Sequence, residues 1–104
     1  MVFLRISSAD EQQLETIATM LLTEHMAIDV NIKRNIERAV LVDGKLQTHR
    51  VHLLTGKTKG LLFPAIDELL LNTFPNNMPE VYSLPIVHMD WDQSKQLGKE
   101  VKQV

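Results

Sequence analysis

The chain has no cysteine, and its 104 residues include only one tryptophan, one tyrosine, three phenylalanines, four glycines and four prolines. Without cysteine there is no disulfide, no thiolate nucleophile and no cysteine-based zinc site, which fits a reducing compartment, so a cytoplasmic location is the expectation. An excess of one charge is also missing. Eleven Lys+Arg against thirteen Asp+Glu leave a net charge of -2 and a pI near 6.0, with the cations scattered instead of forming a stripe, so nucleic acid is not an expected partner. Long apolar runs are lacking too: the start, Met1 to Leu4, is broken by Arg5, and neither a signal peptide nor a membrane span is read from it. Repeats, low-complexity tracts and linkers are absent. One domain over residues 1–104 remains, long enough to bury about two thirds of the surface its unfolded chain exposes.

The residues present alternate between strand and helix patterns. Residues 2–6 read as a short buried strand. Ser8 and Glu11 have the S-x-x-E spacing of a capping box, which predicts a helix start there. Leu14, Ile17, Ala18, Leu21 and Leu22 recur as one apolar stripe and leave Glu11, Gln12, Glu15 and Thr23 to solvent. Between residues 27 and 42, Val30, Ile32, Ile36, Val40 and Val42 all occupy even positions, a strand period with a bulge or break around residues 33–35. Asp43-Gly44 is a hairpin signal, because glycine, and aspartate to a lesser degree, tolerates the positive φ of such a turn. A return strand is expected over about 46–58.

Residues 61–74 predict a second helix, with Pro64 tolerated in its first turn and Leu62, Ile66, Leu69, Leu70 and Thr73 facing inward. Leu61, Phe63 and Leu71 are left over, which points to burial by another subunit. A fourth strand follows over 81–87. Asp90 with Gln93 resembles a cap for a short last helix carrying Leu97, Val101 and Val104. The order βαββαβ plus a helix makes two split βαβ units around an antiparallel hairpin, an α+β ferredoxin-like sandwich.

Several motifs set along that topology resemble the CutA family of divalent-cation tolerance proteins. Glu24-His25-Met26-Ala27-Ile28-Asp29-Val30-Asn31 is similar to the family's E-[RK]-L-A-A-C-V-N, and Asp43-Gly44-Lys45 to its E-G-K. Lys57-Thr58 is similar to its K-T, and Pro75-x-x-x-Pro79-Glu80 followed by Leu84-Pro85-Ile86 to its H-P-Y-x-x-P-E and x-L-P-[IV]. Each is weak alone; their joint order and spacing carry the resemblance. It implies a ferredoxin-like subunit in a tight homotrimer whose sheets meet edge to edge, in agreement with the unused leucines.

The departures from the family bear on chemistry. Where the resemblance implies a copper-binding cysteine, this chain has Asp29, a hard oxygen donor suited to magnesium, calcium or manganese more than to cuprous copper. The aromatic group before E-G-K is replaced by Val40-Leu41-Val42, and His-Pro-Tyr by Phe74-Pro75-Asn76. Phe74, Asn76 and Asn77 therefore stand where the family lines its inter-subunit cleft with an imidazole and a phenol. A weakly bound divalent ion is the only cofactor expected, with Asp29 and His52 as its candidate metal donors.

The other polar residues have plainer readings. His49 and His52 lie three apart on one strand, so they face opposite sides and do not chelate one ion together. His52 reads as a hydrogen-bonded, half-buried residue at a subunit contact, or as a ligand. His25 is expected to complement the carbonyl end of the first helix. His88 precedes Met89-Asp90-Trp91-Asp92, either a transition-metal site or a stretch leading into a helix, with Asp90 as cap and Trp91 packed down. Asp29 is expected to pair with Lys57 or Lys59 across the hairpin.

Three function classes follow. The resemblance implies a CutA-like homotrimer associated with divalent-ion tolerance. An alternative is a PII-like regulatory module that holds small ligands or proteins in the inter-subunit cleft, although Gly56-Lys57-Thr58-Lys59-Gly60 lacks the first glycine of a phosphate loop. An enzyme would need a nucleophile with a base or a split carboxylate pair; neither is found, and Ser7 and Ser8 read as caps.

Overall fold

Alternation along the first strand separates two environments: Leu4 and Ile6 are fully buried, whereas Phe3 and Arg5 between them are only partly covered. The computed structural model describes residues 1–103, with Val104 outside them. Its elements are β1 (Val2–Ser8), α1 (Glu11–Thr23), β2 (Ile28–Val42), β3 (Lys45–Thr58), α2 (Phe63–Thr73, led by a 3-10 turn over Gly60–Leu62), β4 (Glu80–Pro85) and α3 (Trp91–Glu100). The sheet order is β2-β3-β1-β4, with each neighbouring pair antiparallel. This is the expected α+β ferredoxin-like arrangement. The core combines Leu4, Ile6 and Leu54 of the sheet with Leu14, Ile17 and Leu21 of α1, Ile66 and Leu70 of α2, and Leu97.

The first helix starts two residues later than the capping-box spacing predicts. Ser8 still belongs to β1, and Asp10 is the cap, its carboxylate accepting from the Gln12 and Gln13 amides. Ser8 instead accepts from the Asp10 amide and donates to Gln13. At the other end, the His25 amide donates to the Leu22 carbonyl at 3.2 Å and the Met26 amide to Leu21 at 2.8 Å. This is a Schellman closure with His25 in the left-handed region at φ 55°. Backbone geometry, more than imidazole charge, thus gives His25 its role. Leu22, assigned to the apolar stripe, is exposed.

The period-two pattern of β2 spans two faces of the sheet. Ile32 lies opposite Leu54, and Ile36 opposite Val51. Four residues of β2 therefore span three of β3, and the extra residue of this bulge flips the parity, so equally even positions face opposite ways. A second irregularity lies between Ile28 and Asn31. On the turn side of His52, β3 leaves β1, whose pairing ends at Ser8 with His52. Residues 36–51 consequently form a two-stranded arm that turns at Asp43 and Gly44, both at positive φ.

Smaller corrections concern side chains at the periphery. Phe63 packs against the core, while Leu61 is 77% exposed. Thr73 is exposed and hydrogen-bonds back to the Leu69 carbonyl. The last strand stops at Pro85, leaving Val87 exposed. Asp90 caps α3 as expected, by accepting from the Gln93 amide at 3.0 Å. Trp91 is not packed down: it is 74% exposed, with the Lys95 ammonium 5.6 Å from its ring centroid. Among the described residues no helix is long and apolar enough to cross a membrane.

Candidate functional site

Asp29 occupies the irregular start of β2 with φ 51°, a conformation that aspartate tolerates better than most residues. Its Oδ2 accepts from Lys57 Nζ at 3.1 Å, the cross-strand pairing expected from the hairpin. Lys57 also donates to Gln93 Oε1, and the Gln93 amide side chain donates to Asp90. One lysine thereby ties β2, β3 and the start of α3 together. The two hydrogen bonds from Gln93, backbone first and side chain second, hold the Asp90 carboxyl below the usual carboxylate range.

His52 is 7% exposed on the helix-covered side of β3. Its Nδ1 accepts from the Asn35 amide at 3.1 Å. Asn35 is the left-handed residue of the bulge between Lys33 and Ile36, at φ 60°, where the ladder leaves the inserted residue without a strand partner. The imidazole satisfies that orphaned donor. His49 is exposed and stands on the opposite face.

The structure does not bring the two metal candidates together. Asp29 is fastened to Lys57, five positions along β3 from His52, so the anchors lie about 17 Å apart at the usual strand rise. Asp29 is neutralised by a lysine and the Nδ1 of His52 is already engaged. No group of three or more His, Cys, Asp or Glu side chains that could hold an ion is found among the described residues. This donor set does not fit a resident divalent metal.

The three cleft candidates separate as well. Phe74 packs against the core, and its carbonyl accepts from the Asn77 amide at 3.3 Å. Asn76 is exposed. Asn77 lines a hollow of about 220 Å³ with Ser7, Ser8, Gln13, Arg38 and Glu80. Gln13, which drew no notice in the sequence, is its organiser: it accepts from Ser8 at 2.5 Å and donates to the Asn77 carbonyl at 2.6 Å. Arg38 reaches across to Glu80 at 2.6 Å and to Ser7 at 3.3 Å, joining both edge strands. The only local signal for Gln13 is a polar residue adjoining the apolar stripe; for Arg38 and Glu80, 42 positions apart, there is none.

Residues 56–58 belong to the return strand, as its expected span of about 46–58 requires, and Gly60 opens the 3-10 turn that follows. Lys57 and Thr58 pair with Phe3 and Val2 of β1. Thr58 is fully buried and donates its hydroxyl to the Met26 carbonyl at 2.5 Å. The side chains of the K-T motif thus serve the fold.

The same frame is found in known proteins. A family model described as CutA1 divalent ion tolerance protein matches residues 2–96. "Protein CutA 1, chloroplastic" from Oryza sativa subsp. japonica is 36% identical over 70 residues, or 67% of this chain and 40% of that protein. The chain thus spans well under two thirds of that relative's length. Among solved structures, the divalent cation tolerance protein Cut A1 from Thermus thermophilus superposes with a TM-score of 0.82 and 26% identity, covering 98% of this chain and 100% of the other. CutA1 from Oryza sativa gives a TM-score of 0.84 and 25% identity, covering 99% and 94% respectively.

Proposed function

We propose, since this chain belongs to the CutA1 divalent ion tolerance family, that it serves divalent-ion tolerance as a cytoplasmic, non-enzymatic homotrimer without a resident metal centre. The observation that carries this reading is the retained family frame over residues 2–96 together with donors that do not converge. A divalent ion would meet one carboxylate, Asp29, in competition with Lys57, and binding is therefore weak. Cuprous copper finds no thiolate. The reading as a non-enzyme is supported by the engagement of the candidate groups: Ser7 accepts from Arg38, Ser8 donates to Gln13, and Asp10 and Asp90 cap helices.

Support for assembly comes from surface that one subunit leaves unused. Leu41 and Leu46 face each other across the arm and are 73% and 69% exposed. An isolated two-stranded ribbon is marginal in water, so the arm is stable when a neighbour covers it. The edge strands β2 and β4 are likewise unpaired on their outer sides among the described residues, the usual invitation to a neighbouring strand.

Two measurements test the proposal. Light scattering during size exclusion should give three times the 11.9 kDa chain mass, and a monomer at micromolar concentration overturns the assembly. Calorimetric titration with magnesium, manganese, zinc and copper(II), with a copper(I) competition assay, should show only weak binding that Asp29→Asn lowers further. Tight stoichiometric uptake of any of these ions overturns the metal reading.

A further inference from the structure

α3 is fastened to the body differently from the other two helices. α1 buries Leu14, Ile17 and Leu21, and α2 buries Ile66 and Leu70 with Phe63 and Leu69 packed beside them. From Trp91 to residue 103 the only buried side chains are Leu97 and Val101. α3 is also a weak helix in its own right. Its ten residues fall short of the about 12–15 that an isolated helix needs, and Gly98 sits inside it where an added Cβ meets nothing within 4 Å. Close packing therefore does not call for this glycine, which makes the helix easier to unwind.

Polar fastenings from three consecutive residues at the end of β3 take the place of apolar contact. Thr58 holds the body, donating to the Met26 carbonyl at 2.5 Å. Its two neighbours hold α3. Lys57 donates to Gln93 in the first turn, and Lys59 Nζ donates to the carbonyls of Val101 at 2.9 Å and Lys102 at 3.2 Å, just past the last turn. A cation there satisfies carbonyls that the helix leaves open and meets the negative end of its dipole. The Lys102 amide then closes the tail on the His25 carbonyl at 2.9 Å. Behind this tail the fit is incomplete: Lys99, Glu100 and Lys102 share a hollow of about 520 Å³ with Leu22, Ala27 and Ile28, and walls without partner atoms forgo dispersion attraction.

We infer that residues 91–103 form a strap, locked by Lys57 and Lys59, that opens as a unit while the four-stranded sheet and α1 stay closed, and so bares the part of the core that Leu97 and Val101 cover. Opening releases two apolar side chains, the lysine bonds and the Lys102–His25 bond. It leaves the strand ladders and the Thr58–Met26 bond intact. Segments with few buried contacts open at a lower free energy than the core of the same protein, and here the difference is set by two side chains of β3 and its following residue, outside the strap itself. Access to the covered surface thus depends on the lock and not on unfolding of the domain.

The test is native-state amide exchange of the full chain, followed by NMR under conditions where exchange tracks the opening equilibrium, with trypsin cleavage as a second readout. The amides of Val101 and Lys102, bonded to the Leu97 and His25 carbonyls, should exchange about a hundredfold or more faster than those of Leu4, Ile6 and Leu54. Lys59→Gln should accelerate the strap amides about tenfold, the scale of a charge-assisted hydrogen bond, and leave the sheet amides unchanged. Gly98→Ala should slow the strap amides several-fold. Lys45→Gln, at an exposed position on the arm, should alter neither set. Trypsin cleavage after Lys95 and Lys99, inside the strap, should quicken in Lys59→Gln and slow in Gly98→Ala. Exchange of Val101 and Lys102 at the rate of Ile6, or equal acceleration of strap and sheet by Lys59→Gln, overturns the proposal. If Lys59→Gln does not fold, Gly98→Ala decides: slowing confined to the strap supports the proposal, and no change or a uniform slowing overturns it.

Discussion

One face of this sheet is finished within the subunit and the other is not. On the side toward α1 and α2, Leu4, Ile6, Leu54 and Thr58 are fully buried. Polar groups there are matched: Thr58 donates to Met26 and His52 accepts from Asn35. On the other side, Arg5 lacks an acceptor among the described residues, and Tyr82 and Leu84 are exposed. Buried apolar contact is therefore concentrated on the first face over residues 52–58 of β3, while uncovered apolar surface remains on the second face and, beyond His52, on the arm at Leu41 and Leu46. Of the family motifs, Thr58 secures the finished face, whereas the departure Val40-Leu41-Val42 lies on the exposed arm.

The largest test of this contrast truncates each face. Ile6→Ala should lower the unfolding free energy by about 2–5 kcal/mol, equally at low and high protein concentration, in chemical denaturation followed by circular dichroism. Leu84→Ala should cost less, and its cost should change with protein concentration because it acts through association. A concentration-independent loss at Leu84 as large as that at Ile6 erases the distinction. A smaller effect sharpens it: His52→Leu leaves the Asn35 amide without its acceptor and should cost about 1–3 kcal/mol. Amide exchange at Asn35 should accelerate at the same time. If the cost appears while Asn35 stays protected, packing and not the hydrogen bond makes His52 part of the finished face.

The smallest effect concerns the tether from the unfinished face to α3. The Asp90 carboxyl is held below its usual range by Gln93. Its contribution is therefore present above the unfolded-state carboxylate pKa and is lost as the pH falls through the lower folded-state value. Gln93 amide protection should consequently decline at acid pH in the wild type. In Asp90→Asn it should be weaker at neutral pH and insensitive to acid; a persistent acid transition in that variant would place the cause elsewhere.

Element types and order were legible because the patterns were local: the α1 stripe, the Asp43-Gly44 turn, Pro64 in the first turn of α2 and the Asp90 cap. The opposed faces of His49 and His52 and the pairing of Asp29 with Lys57 also followed from strand parity and hairpin closure. The switch of face along β2 was not legible, because a bulge near residues 33–35 was readable but the parity beyond it depends on the partner register. Asp10 displaced Ser8 as cap because β1 continues through Ser8. The polar groups of the Gln13 hollow and of the unfinished face escaped notice because their partners are remote: Gln13 meets Asn77, Arg38 meets Glu80, and Arg5 stacks near Tyr82. The separation of Asp29 from His52 is likewise a distance along β3 that residue chemistry alone does not convey.

The position of β1 between β3 and β4 also sets an order of events during synthesis. β1 is an inner strand, and both of its neighbours are translated after it, β3 by residue 58 and β4 by residue 85. The β2–β3 hairpin has local contacts and closes early, but it cannot seat β1 between two strands until β4 has left the ribosome. The chain through residue 85 must therefore emerge before Leu4 and Ile6 are enclosed on both sides, and until then β1 is an adhesive apolar strand that a chaperone would recognise.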